Sequence, residues 1–243
     1  PFVAWLSVAP KAAGFLVIFR LYLEGAGSAA LLWAPLVSAM AAATIVAGNL
    51  MAIPQRNVKR MLAYSSIAHA GFVLLGVLAS SAAGLSGSLF YLLAYSFTTL
   101  GTFGIVSLVH DASGEANNLG QFAGLGKRSP LVAGTFAMFL LALAGIPLTS
   151  GFTGKFAVFA AAYESGAAPL VVLAVVASAI AAFFYVRVIV LMFFTEPKGD
   201  DVSIVIPSLF TQVGLTIAAT ATVVLGLVPQ PVLDLLKDMI FIR

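Results

Sequence analysis

The chain has 243 residues, 61% of them hydrophobic and only 9% charged, with a formal net charge of +3. Soluble domains carry roughly a quarter charged residues, so this supply cannot build a water-facing surface, and a mean hydropathy of +1.09 points to a bilayer. The lack of cysteine excludes disulfides, thiolate-bound zinc, iron–sulfur clusters and a cysteine nucleophile. Lys and Arg that gather on no one face argue against nucleic acid, and two histidines far apart in sequence suggest no metal or haem site.

A helix needs about 20 apolar residues to cross ~30 Å of hydrocarbon. Seven stretches qualify: 2–23, 29–53, 61–80, 86–109, 130–163, 168–194 and 206–228. The chain opens on Pro1 with no initiator Met and no signal-peptide pattern, so an N-terminal part is expected to be missing. In the first span Pro10 predicts a discontinuity, and Lys11 follows it near mid-membrane. The second holds Thr44 and Asn49, the third Tyr64, Ser65, Ser66 and His69, and the fourth Tyr91 and Tyr95. The run Ser96, Thr98 and Thr99 is expected to bond back to its own helix more often than to line a path.

The fifth span is too long. Residues 130–163 as one straight helix would measure about 51 Å. Its centre carries Gly145, Pro147, Thr149, Gly151, Gly154 and Lys155. Proline cannot donate to a helix and clashes with the preceding turn, while the glycines loosen the rest. Two half-helices meeting near the midplane are therefore predicted, the alternative being a plain kink used for packing. Broken backbone is tolerated in a bilayer only where protein or water covers it, and in transporters it marks the ion site. In the sixth span Arg187 is placed to snorkel from near the end. After the seventh, Val232, Leu235, Leu236, Met239 and Ile240 recur at helical spacing within 230–242, as in a helix lying along an interface.

The loops sort by charge. Gln55–Arg60, His110–Ser129 and Thr195–Asp201 share one side and carry Arg56, Lys59, Arg60, Lys127, Arg128 and Lys198. The loops of the other side carry no Lys or Arg, and the tail adds Lys237 and Arg243. The positive-inside rule places the first side in the cytoplasm and the C-terminus outside.

A charged lysine at the bilayer centre costs at least ~2.5–3.5 kcal/mol. Lys11 and Lys155 lie too far from the span ends to snorkel, and every Asp and Glu falls in a loop, at a span end or in the tail. Either an acid comes from elsewhere and holds them in static ion pairs, or they spend part of their time neutral. Burial disfavours the ammonium form, so such a lysine can take and release a proton as its surroundings change. Two of them joined by waters and hydroxyls would form a relay, with His69, Tyr64, Ser65, Tyr95, Thr99 and Thr149 as candidate bridging or supporting groups. His69 could titrate near neutrality or serve only as a helix–helix hydrogen-bond partner.

The stretch Asn57-Val58-Lys59-Arg60-Met61-Leu62-Ala63-Tyr64-Ser65-Ser66-Ile67-Ala68-His69-Ala70-Gly71 resembles the signature of the antiporter-like membrane subunits of respiratory complex I and related cation antiporters. Ser7–Ala13 and Ala144–Phe156 resemble the N-type branch, and the likeness runs over the whole chain. Phe90–Phe97 lacks the histidines of the L and M types, and Lys155 stands where the M type has glutamate.

The resemblance implies an all-α integral membrane fold of fourteen spans, built as two inverted five-helix repeats each with a broken helix. This chain would supply about seven transmembrane helices, one discontinuous. Residues 1–23 would close the first repeat, 29–194 form the second around its broken helix 130–163, 206–228 make the final span and 230–243 an amphipathic end. The family's other essential glutamate and lysine would lie in the missing N-terminal half. The implied function is proton translocation in an NADH:quinone oxidoreductase of the bacterial cell membrane, through Lys11 and Lys155 along a hydrated axis. NADH, FMN, iron–sulfur clusters and quinone would be bound in other subunits, with no cofactor or metal in this chain. Partners would be the other membrane subunits, the missing half and the bilayer. Two alternatives are a subunit of a multi-subunit sodium/proton antiporter and a non-transporting scaffold.

Overall fold

The computed structural model describes residues 2–26, 29–111, 114–196 and 202–238. Lys198, Asp200, Asp201, Met239, Ile240 and Arg243, used above for side assignment or for the terminal helix, lie outside those residues. Ten α-helices are present among the described residues: α1 (Phe2–Phe19), α2 (Ala30–Ala52), α3 (Val58–Leu78), α4 (Ala82–Val106), α5 (Leu125–Arg128), α6 (Pro130–Ala144), α7 (Ser150–Glu164), α8 (Ala168–Phe194), α9 (Leu209–Leu227) and α10 (Gln230–Asp238). Six helical stretches are long and apolar enough to cross a membrane, and the predicted fifth span is the split pair α6 and α7. Strands β1 (Val109–Asp111), β2 (Gly114–Glu115) and β3 (Ser203–Ile204) form a small antiparallel sheet ordered β2-β1-β3 across one end.

Burial is concentrated in α3 and α4, where 67% of the membrane-length window is inside the protein, against 17% in α1 and α9. α4 touches α1, α3, α6, α7, α9 and α10, so it is the axis around which the rest is arranged. Small residues permit the close crossings, as in membrane helix pairs generally. A Cβ on Gly48 would lie 2.6 Å from the Ala68 amide of α3, and one on Gly71 would lie 2.5 Å from Thr44 Oγ1 of α2.

One expected break is absent. α1 runs without interruption through Pro10, and α2 runs likewise through Pro35. A lone proline removes one hydrogen bond, and in a bilayer that loss can be made good locally while the surrounding ladder holds. Irregularity in the first span sits instead at Arg20–Gly25, a π-helical turn. Arg187, near the end of its span, reaches the end of a neighbouring helix: its Nη1 donates to the carbonyl of Ile53 at 3.3 Å and so caps α2.

Candidate functional site: two lysines about a histidine hub

The break in the fifth span begins where α6 stops. Gly145 takes up a left-handed conformation (φ +84°), which a glycine adopts without strain. Its amide donates to Ala142 O at 3.0 Å and the Ile146 amide to Leu141 O at 3.1 Å, the bond pair of a Schellman turn. Leu148 is also held at positive φ (+73°). The chain then re-enters helix at Ser150 behind Thr149, whose hydroxyl accepts from the Phe152 amide and donates to Ile146 O at 2.7 Å. Thr149 is thus an N-cap of α7, and the structure gives it no contact with either lysine among the described residues. Glycines set the approach of the two halves. A Cβ on Gly151 would lie 1.8 Å from Ala142 O, and one on Gly154 2.6 Å from the Tyr91 ring.

This geometry brings Lys155 back over the break. It is 5% exposed, and its Nζ donates to Leu143 O at 3.0 Å, Ala144 O at 2.9 Å and Ser178 Oγ of α8 at 2.8 Å. Phe72 of α3 presents its ring face 5.2 Å from the same nitrogen.

At the other end Lys11 of α1 is half-buried. It donates to Tyr95 Oη at 3.3 Å and Ser66 O at 3.4 Å, with its nitrogen 5.3 Å from the centre of the Tyr95 ring. Tyr95 packs on His69, ring centres 5.0 Å apart, and His69 edges onto Phe72 at 5.8 Å. Lys11 and Lys155 thus lie on either side of His69, which reaches the first through the Tyr95 ring and the second through the Phe72 ring.

His69 is the hub. Its Nδ1 lies 2.6 Å from Tyr91 Oη and its Nε2 3.2 Å from Tyr185 Oη. Tyr185 donates to Ser65 Oγ at 2.8 Å, and Ser65 donates to Leu62 O at 3.1 Å. A hydroxyl has one proton to give. Since Tyr185 spends its proton on Ser65, it must accept from His69, so Nε2 carries hydrogen; in the neutral imidazole Nδ1 then accepts from Tyr91. The whole chain, from Tyr91 through His69, Tyr185 and Ser65 to Leu62, then points one way around a neutral imidazole.

Of the remaining candidates, Tyr64 makes no side-chain hydrogen bond among the described residues, lying partly buried against the core. Ser96 and Thr98 bond back to Leu92 O and Ala94 O as expected. Thr99 does not: its buried hydroxyl, like that of Ser150, meets no partner among the described residues. Ser178, Tyr185 and Phe72 were missed. The first two lie seven residues apart, two turns along one face of a span whose other polar side chain is Arg187, a spacing that could have exposed them; Phe72 carries no such signal.

The family model described as NADH:quinone oxidoreductase/Mrp antiporter, TM, matches residues 1–181. The chain is 56% identical over 235 residues to NADH-quinone oxidoreductase subunit N of Rhodococcus opacus, covering 97% of this chain and 44% of the relative. It is 50% identical over 239 residues to the protein of that name in Mycobacterium tuberculosis, covering 97% and 45%. It thus spans less than half the length of the curated relatives it matches. Among solved structures, respiratory complex I from Thermus thermophilus aligns with a TM-score of 0.73 at 32% identity, over 82% of this chain and 45% of the matched chain. The Mrp complex from a Dietzia species aligns with a TM-score of 0.82 over 96% of this chain and 51% of the matched one; at 23% identity it speaks to the fold alone.

Proposed function

The chain belongs to the NADH:quinone oxidoreductase/Mrp antiporter membrane family, and from that premise we propose that it is part of a proton-translocating membrane subunit of an NADH:quinone oxidoreductase. Protons pass by way of Lys11, the Tyr95–His69–Tyr91–Tyr185 cluster and Lys155, driven by electron transfer in other subunits. The observation that carries this reading is the hub: a histidine in a one-way hydrogen-bond chain, flanked by the half-buried Lys11 and the buried Lys155, with no carboxylate paired to either lysine among the described residues.

Such a chain moves charge in two stages. A proton added to His69 at Nδ1 turns the Tyr91 hydroxyl away. The proton on Nε2 then leaves by way of water toward Lys155, because the Tyr185–Ser65 branch ends on the Leu62 carbonyl and cannot pass a proton on. The hydroxyls must then turn back before the next transfer, which makes the chain a gated conductor and not an open wire. Histidine suits this because its charge changes near physiological pH. Phe72 stands between the hub and Lys155, so the last step requires the ring, the lysine or water to move.

In this reading NADH, FMN, iron–sulfur clusters and quinone are bound by other subunits and this chain binds none. Its partners are the other membrane subunits and the segment that completes the fourteen-span fold. It lies in the bacterial cell membrane with the Arg56–Arg60 and Lys127–Arg128 loops in the cytoplasm.

The test places Lys155→Ala and Lys11→Ala, separately, in the full-length subunit within the intact complex in sealed vesicles. The expected result is continued NADH oxidation with several-fold less charge moved per NADH. Undiminished charge transfer in either variant overturns the reading.

A further inference from the structure

Every α-helix ends with four carbonyls that no intrahelical donor reaches. In α6 these belong to Leu141, Ala142, Leu143 and Ala144. The Schellman turn takes the first two. The other two both aim at the Lys155 nitrogen, at 3.0 and 2.9 Å, and Ser178 Oγ supplies a third oxygen at 2.8 Å. Three oxygens from two elements thus converge on one point at the negative end of a helix dipole. Ends of half-helices of this kind coordinate monovalent cations in transporters. The room is made by Gly145, where a Cβ would stand 3.1 Å from Nζ, and the Phe72 ring face closes a further side at 5.2 Å, a wall that itself attracts cations.

We propose that this cage is a binding site for a small monovalent cation of the ammonium type, kept permanently filled by the tethered side chain of Lys155, so that free cations are shut out and only a proton can be exchanged there. The statement about the proton rests on the proposed relay; the cage itself rests on geometry. Ser178 lets the amine stay bonded in both protonation states. As an ammonium, Lys155 gives one N–H to each carbonyl and one to Ser178 Oγ, whose own proton turns toward Ala144 O at 3.4 Å. After one proton leaves, the amine keeps two N–H bonds to the carbonyls, and the Ser178 hydroxyl turns to donate into its lone pair. One proton departs, no heavy atom moves, and no buried group loses a partner. A sodium ion would have to displace the nitrogen from all three oxygens.

Lys155→Ala, in the full-length subunit of the purified complex, empties the cage. Methylammonium at millimolar concentration is expected to raise the thermal unfolding midpoint of this variant and to leave the wild type unmoved. Tetramethylammonium, equal in charge but without N–H donors, is expected to shift neither protein, and Ser178→Ala added to the variant should weaken the methylammonium response. Equal responses to the two cations, or none to either, overturn the proposal. If the variant does not assemble, cells grown with and without methylammonium decide the matter: restored assembly supports the cage and unrestored assembly overturns it. Charge transfer in the same preparation is read separately. A Lys155→Ala complex that moves charge at the wild-type rate sinks the relay, while the methylammonium response still judges the cage.

Discussion

Tyr185 contributes a single hydroxyl that accepts from His69 and donates to Ser65, deep in the interior at 0% exposure. Tyr185→Phe keeps the ring and cuts the chain at one atom. Two buried groups are each left one bond short, which costs about 1–3 kcal/mol apiece in stability. The variant is expected to assemble and oxidise NADH while moving several-fold less charge per NADH, read with a potential-sensitive dye. Unchanged charge transfer would reduce the hub to packing. The lysines and His69 were legible in the sequence because a titratable group in a span is expensive and so stands out. Tyr185 and Ser178 were less legible because serine and tyrosine are cheap enough in membrane helices to pass as ordinary helix–helix contacts. The two carbonyls that hold Lys155 could not be read at all, since any residue carries one. Only the direction in which the chain leaves α6 makes them a site.

That direction is a property of the α6–α7 element, and its glycines define what it tolerates. At Gly151 an added methyl would meet the backbone oxygen of Ala142 at 1.8 Å, and at Gly226 of α9 it would meet the Thr149 backbone at 2.5 Å. Neither obstacle is a flexible side-chain end, so the half-helices must shift. Overpacking of this kind costs typically ~1–3 kcal/mol. Gly151→Ala and Gly226→Ala are therefore expected to lower the thermal midpoint and the amount of assembled subunit. Gly134→Ala in the same pair of helices, where a Cβ has nothing within 4 Å, should be neutral or slightly stabilising, because alanine is the better helix former. Equal effects at all three positions would show that the close contacts at Gly151 and Gly226 carry no cost of their own. The same contrast explains the expectation that failed. Pro147 breaks its helix in company with a left-handed Gly145 that turns the chain, whereas Pro10 and Pro35 stand where their helices simply continue. Excess length identified the true break; proline by itself did not.

At the scale of the whole molecule, the described protein has an apolar body and one polar end. That end is drawn together by β1–β2–β3, by the Asn57–Asn118 bridge and by the Lys59–Glu115 ion pair, which ties the start of α3 to the hairpin. Because the chain has no cysteine, Asn117→Cys at this end and Gly166→Cys at the other report sidedness directly. Only the first should react with an impermeant thiol reagent added from the cytoplasm; the reverse pattern would invert the orientation. The Lys59 hydrogen bond holds the Glu115 carboxyl below its usual range. A carboxyl whose folded value is depressed stabilises the fold above its ordinary pKa, about 4.3 for glutamate, and that contribution disappears as pH falls through the lower, folded value. The sheet is thus expected to keep its amide-exchange protection, corrected for intrinsic rates, from neutral pH down to the ordinary glutamate range. Protection should fall only in more acidic solution. Glu115→Gln removes the titrating group, so its sheet should be looser at neutral pH and lack that acid step. An acid step of equal size in the variant would assign the pH response to another group at the polar end.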